Sequence, residues 1–326
     1  MSAAAASPGR VPVTVLTGFL GAGKTTLLNR VLAEAHGRRY AVIVNEYGEL
    51  GIDGGLVVGA EEEVFELNNG CVCCKVRGDL LRVLGGLVRR PGRFDGILIE
   101  TSGLADPAPV AQSFFADDLI RQHTRLDSIV CVADARTLPQ MLAGYREAAE
   151  QLALADTVLL SKVDLADAAM LAASRRAVGA VNAGATLLEA VRGDVPLDAI
   201  LDRGAFDLSR LDLVVDEAEK HEHGHSDGID CVSFRRGPPL ERSRFLAWLQ
   251  RLVVEQGQDL LRAKGIVSLA GADRRFVFNG VHMMMDTELT QPWAEGQPRD
   301  SRLVFIGRNL DRDDMLSGLR LCEVDA

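Results

Sequence analysis

Residues 11–32 read VPVTVLTGFLGAGKTTLLNRVL. Val11, Val13 and Val15–Leu16 form a short, β-branched apolar run, which predicts a buried strand. A glycine-rich loop follows from Gly18 to Gly23. After Lys24-Thr25-Thr26, Leu27, Leu28, Val31, Leu32 and Ala35 recur at helical spacing. This is GxxxxGK[ST] between a strand and a helix, the setting in which that spacing binds phosphate. Glycine at Gly18, Gly21 and Gly23 lets backbone N–H groups, with those of Ala22 and Thr26, turn toward phosphate oxygens. The helix N-terminus adds positive partial charge. Lys24 is expected to bridge the β- and γ-phosphates, and Thr25 to ligate Mg²⁺.

The same alternation continues to about residue 205. Strands are expected at 11–16, 41–45, 63–66, 96–100, 128–133, 157–161 and 186–189. That order predicts an α/β fold: a doubly wound, mostly parallel sheet with helices on both faces. The chain of 326 residues suggests two domains. The first spans 11–205, and 206–228 reads as a polar, His-rich linker. A smaller α+β domain then fills 229–326. Its expected elements are strands 229–235, 264–270, 274–282 and 302–307, with helices 241–255 and 310–320.

Composition narrows the function classes. Hydrophobic residues at 47% suffice for real cores. The net charge of −10 argues against general nucleic-acid or membrane-surface binding. No apolar run has the length of a membrane span, and MSAAAASPGR lacks the apolar core of a signal peptide, reading instead as a short disordered tail. A cytosolic protein with reduced thiols is expected.

FDGILIETSGLADP, residues 94–107, supplies a second buried strand ending in Glu100. An acid at a parallel strand's carboxyl end lies beside the phosphate site. Glu100 is a candidate to hold a Mg²⁺-bound water or polarise the attacking water, and the Gly103 N–H to meet the γ-phosphate. TVLLSKVDLAD, residues 157–167, ends a strand at Ser161-Lys162-Val163-Asp164. A carboxylate there can accept both guanine N1–H and N2–H₂ while the Lys162 stem covers the ring. Adenine would leave the carboxylate unpaired. The usual motif is NKxD, and Ser161 stands where Asn is usual. VIVNEYGELGID, residues 42–53, carries Glu46, Glu49 and Asp53 after the second strand. Its acids and glycines suit a segment that senses the γ-phosphate, and Glu46 and Glu49 are candidate metal ligands; the alternative is a solvated acidic loop.

GFLGAGKTT, NEYGELGID, GCVCC, ETSGLADP and SKVD, in this order, resemble the CobW-type GTPases, P-loop metal chaperones. The likeness continues through DLLRAKGIV, GVHMMMD and LVFIGRNLD near the C-terminus. It implies GTP hydrolysis, a C-terminal CobW-like domain and a client metalloprotein. A Ser or Thr in place of the Asn is common in that family. The resemblance also implies that CxCC, here Cys71, Cys73 and Cys74, holds the cargo, generally Zn²⁺ or Co²⁺.

Read as residues, the cysteine loop favours a metal. A vicinal Cys73–Cys74 disulfide would be strained and out of place in the cytosol. Three thiols beside Gly70 and Lys75 make poor core. Lys75, Arg77 and a following helix N-terminus favour thiolates. Two or three ligands leave a tetrahedron incomplete, which suits a transferable ion. His221, His223 and His225 in HEHGHSD form either a low-affinity metal-collecting tract or a solvated linker. His282 with Met283–Met285 resembles a strand with a soft-ligand edge, with core packing the favoured reading, and Cys131, Cys231 and Cys322 read as buried structural thiols. Two other functions stay open: a P-loop kinase for a small molecule, and a metal store or sensor with incidental GTPase activity.

Overall fold

The computed structural model describes residues 10–34, 37–44, 63–66, 73–90, 92–203, 228–296 and 298–324. They divide into two compact units, the second taking in Val178–Gly184 as well as the chain from Gly228 onward.

The first unit is built on seven strands: β1 Val11–Thr17, β2 Tyr40–Val44, β3 Glu63–Glu66, β4 Gly96–Glu100, β5 Thr124–Asp134, β6 Thr157–Ser161 and β7 Thr186–Ala190. Their order is β3-β2-β4-β1-β5-β6-β7, and every pairing is parallel. The helices between them are α1 Lys24–Ala33, α2 Cys73–Val88, α3 Ala108–Ala116, α4 Asp118–His123, α5 Leu138–Gly144, α6 Arg146–Leu154 and α7 Ala168–Val181. The chain moves one way along the sheet from β1 to β2 and the other way from β4 to β5. Right-handed crossovers therefore put α1 on one face and α3 and α4 on the other. Leu27, Leu28, Val31 and Leu32 of α1 pack on Leu16, Val42, Leu98, Val130 and Leu159, with Val195, Leu197 and Ile200 completing that layer. β1 and β4 thus feed helices on opposite faces, and the crevice at their carboxyl ends is the sheet's natural ligand position. β5 begins four residues before the expected strand; its early part, TRLD, mixes polar residues into the apolar pattern.

The second unit is an antiparallel sheet of five strands, ordered β11-β10-β9-β12-β8. They are β8 Ile229–Arg236, β9 Leu260–Val267, β10 Arg274–Val281, β11 Met284–Pro292 and β12 Ser301–Arg308. Two helices, α8 Arg242–Gln256 and α9 Arg312–Arg320, complete it. Phe245, Trp248, Leu249 and Leu252 of α8 and Met315 and Leu319 of α9 pack against Phe234, Phe276, Phe278, Leu303 and Phe305. The helices are capped where the chain turns in. Glu241 accepts from the N–H groups of Ser243 and Arg244, and Asp311 from those of Asp313 and Asp314.

Three expectations need correction here. A fifth strand, β11, was not expected; it is an edge strand, half of it exposed, so it carries no strong apolar signal. The assignment of His282 with Met283–Met285 to the core fails at Met283, which is 54% exposed. His282 and Met283 instead form the tight hairpin between β10 and β11, with His282 at φ 52°. β9 spans 260–267, not 264–270, because its pairing with β10 and β12 begins earlier. Of the three thiols, Cys131 and Cys322 are buried and Cys231 is half-buried. Among the described residues no helix is long and apolar enough to cross a membrane.

Candidate nucleotide site

Four strand ends meet at one edge of the first sheet: Thr17 of β1, Glu100 of β4, Asp134 of β5 and Ser161 of β6. The loop after β1 is shaped by its glycines. Gly18 has φ +133°, and a Cβ there would lie 2.0 Å from the Val132 carbonyl oxygen. The first glycine therefore lets the loop pass against β5. Thr101 N–H donates to the Leu16 carbonyl at 2.9 Å, tying the start of the loop after β4 to β1.

Lys24 and Thr25 open α1 with their side chains in this crevice. Lys24 is buried, and its Nζ donates to the carbonyls of Gly18 at 2.8 Å and Phe19 at 3.4 Å. Burial pulls its pKa down, and the neighbouring Glu100 carboxylate works against that by favouring the cation. Thr25 Oγ1 donates to Glu100 Oε1 at 2.9 Å. A hydroxyl and a buried carboxylate side by side are an oxygen donor set of the kind Mg²⁺ takes. The residues present therefore fit a Mg²⁺–nucleotide phosphate chain. The nearby Cys131 thiol is pushed up to about 12 by burial, so it is neutral and inert.

Ser161, the departure from the usual Asn, is fastened to the loop. Its Oγ donates to the Ala22 carbonyl at 2.6 Å and lies 3.2 Å from that of Ala133. Lys162 sits at φ 58°, and its Nζ donates to the Gly21 carbonyl at 2.6 Å and to Asp134 Oδ2 at 2.8 Å. Asp164 follows in a 3₁₀ turn, Val163–Leu165, with its side chain exposed. The Ser161–Lys162 segment is thus fastened to the glycine-rich loop after β1. Asp134 is a residue the sequence reading did not single out. Burial opposes its ionisation, yet Arg136 and Lys162 hold it well below the usual carboxylate range. An acid at the end of a parallel strand, the signal that marked Glu100, would have found it.

Gly18, Gly21, Ala22, Gly23, Lys24, Thr25, Thr26, Glu100, Gly103, Ser161, Lys162 and Asp164 all lie on strand ends, loops or helix starts at this one edge. Cys71, Glu46, Glu49, Asp53, His221, His223 and His225 lie outside the described residues. Cys73 and Cys74 open α2, but their side chains lie outside them too. Among the described residues, no three His, Cys, Asp or Glu side chains gather as a metal site.

Gly18→Ala tests the loop directly. The added Cβ must displace the loop from β5, so affinity for a nucleoside triphosphate is expected to fall at least about tenfold. Unchanged affinity in a calorimetric titration would mean that this loop conformation is not the one that binds.

Residues 12–189 match the family described as CobW/HypB/UreG, nucleotide-binding domain, and residues 229–323 match the cobalamin synthesis protein cobW C-terminal domain. The zinc chaperone CobW of Pseudomonas aeruginosa is 38% identical, over 95% of this chain and 91% of its own length. The zinc-regulated GTPase metalloprotein activator 1 of Schizosaccharomyces pombe is 33% identical, over 93% of this chain and 83% of its own. The crystal structure of Zn(II)-bound YjiA GTPase from Escherichia coli superimposes with a TM-score of 0.74, at 28% identity, covering 97% of this chain and 99% of that one.

Proposed function

The chain belongs to the CobW/HypB/UreG family, and from that premise we propose that it is a GTP-hydrolysing metallochaperone that carries Zn²⁺ or Co²⁺ to a client metalloprotein. The observation that carries the GTPase reading is the fastening of Ser161 and Lys162 to the carbonyls of Ala22 and Gly21. It sets a base-reading segment at a fixed distance from a phosphate loop. The cargo reading rests on the likeness to zinc chaperones and on the CxCC sequence.

In this reading the loop amides of Gly18 to Thr26 bind the phosphate chain. Lys24 leaves the Gly18 carbonyl to bridge the β- and γ-phosphates. Bound Mg²⁺, held by Thr25, supplies charge neutralisation on the phosphates. Glu100 orients the attacking water, and the Gly103 N–H meets the γ-phosphate. Asp164 reads guanine, with the Lys162 stem along the ring. Cys71, Cys73 and Cys74 hold the cargo, with Glu46 and Glu49 as further candidate ligands and His221, His223 and His225 as a collecting tract. The cycle belongs to the cytosol, where thiolates stay reduced. In this reading a GTPase unit spans 11–205, a linker 206–228 and a C-terminal unit 229–326.

Chain order puts the three cysteines between the Glu46 segment and Glu100. A GTP-bound state that gathers the thiolates would tighten metal, and linkage requires metal to tighten GTP by the same factor. Zn²⁺ and Co²⁺ titrations against a competing chelator should show about 5–150-fold tighter binding with a GTP analogue than with GDP. Cys73→Ser with Cys74→Ser should erase the difference. Equal metal affinity in both nucleotide states would reject the chaperone cycle and leave a passive store. A nucleotide effect that survives the double substitution would move the cargo to the linker histidines.

A further inference from the structure

Helix α6 reaches the loop after β4 through one side chain. Gln151 is fully buried, and its Nε2 lies 3.2 Å from the Gly103 carbonyl oxygen and 3.0 Å from that of Ala105. Only the amide nitrogen can donate to two carbonyls, so chemistry fixes which way this amide faces. Between these carbonyls the loop makes a turn, with Ala105 N–H donating to the Ser102 carbonyl at 3.0 Å. In a trans peptide the C=O and N–H point in opposite directions. Holding the Ser102 carbonyl into the turn therefore holds the Gly103 N–H out of it. Gly103 also lies against the phosphate loop, for a Cβ there would be 2.7 Å from the Leu20 nitrogen.

The α5–α6 corner touches the phosphate loop as well. The Tyr145 ring is centred 4.6 Å from that of Phe19. Beside them lies a cavity of about 50 Å³ lined by Phe19, Leu20, Cys131, Met141 and Gln151 among others. One segment, residues 145–151, thus contacts both loops that the nucleotide reading assigns to the phosphates.

We infer that Gln151 is a positioning residue for γ-phosphate recognition: its two N–H donors hold the 102–105 turn so that the Gly103 N–H is presented to the phosphate. The inference rests on the GTPase reading above. It adds a residue 48 positions away from Gly103 that acts through the turn it holds. Without those donors the buried Gly103 carbonyl and the half-buried Ala105 carbonyl lose this partner, and the turn relaxes away from the γ-phosphate position. GDP, which has no γ-phosphate, should be indifferent to the change.

The test uses the full chain with Gln151→Met, which keeps length and loses both donors, and Gln151→Glu, which keeps shape and sets an acceptor against two carbonyls. GDP affinity is expected to stay within about twofold of the parent, which also certifies the fold. The kcat for GTP and the preference for a non-hydrolysable GTP analogue over GDP should each fall about tenfold or more. Gln151→Lys, which keeps N–H donors, should recover part of that loss. Parent-like kcat and analogue preference in both the Met and Glu variants would overturn the inference. So would an equal loss of GDP and analogue binding, because that assigns Gln151 to the fold alone. A parent that binds GDP no better than ADP and releases no phosphate from GTP would instead overturn the GTPase reading beneath it.

Discussion

Lys24→Ala is expected to abolish GTP turnover, lowering phosphate release by about 10²-fold or more at saturating GTP. Lys24 is 8% exposed and sits in the crevice between β1 and β4, where the Glu100 carboxylate favours its cation. Its ammonium already crosses the loop to the Gly18 carbonyl, so a small shift would carry it to a phosphate oxygen. Alanine removes a cation from a site where water cannot replace it, and charge developing in the transition state then has no partner. Zn²⁺ binding without nucleotide should be unaffected, because no thiol of the CxCC run is involved. Near-normal phosphate release from the variant would place the chemistry elsewhere in the molecule.

Asp164→Asn should convert a guanine site into a xanthine site. The carboxylate accepts from two donors on guanine, N1–H and N2–H₂. The carboxamide offers one acceptor and one donor, which matches the N1–H and the C2 carbonyl of xanthine. Losing one hydrogen bond to a charged group and facing donor with donor should weaken GTP by roughly 10²- to 10⁴-fold and raise affinity for the xanthosine nucleotide. Competition binding with GTP, XTP and ATP reads the outcome. A parent chain that binds ATP and GTP equally would remove Asp164 from the base site. The structure adds a reason to expect a clean switch. Ser161 and Lys162 anchor this segment to Ala22 and Gly21 through groups that the substitution leaves in place.

Much of this site was legible before any coordinates, and the rest was not, for a definable reason. The phosphate loop announces itself because its chemistry demands residue types at fixed spacing within a few positions. Glu100 and the Ser161–Asp164 segment were found because each ends an apolar run, and a strand's carboxyl end is where an α/β sheet binds. The resemblance to CobW-type GTPases rested on those same local motifs. The C-terminal sheet was read one strand short. β11 is a half-exposed edge strand, so neither alternation nor a continuous apolar run marks it.

What the sequence by itself determined is therefore the part of the protein whose requirements are local. It specified a doubly wound α/β unit, a phosphate loop, a strand-end acid and a guanine-type motif with Ser in place of Asn. Only the tertiary structure decided what that Ser does. Its hydroxyl reaches the Ala22 carbonyl across 139 residues of chain, and Lys162 reaches Gly21 across 141. Asp134 ends a parallel strand as Glu100 does, but its hold on Lys162 came from folding, as did Gln151, set under the Gly103 turn. Gln151 does not act through its neighbours in sequence. Like Ser161 and Lys162, it acts through a hydrogen bond whose partner the fold brings close, and a pairing of that kind leaves no spacing for a reader of the sequence to find.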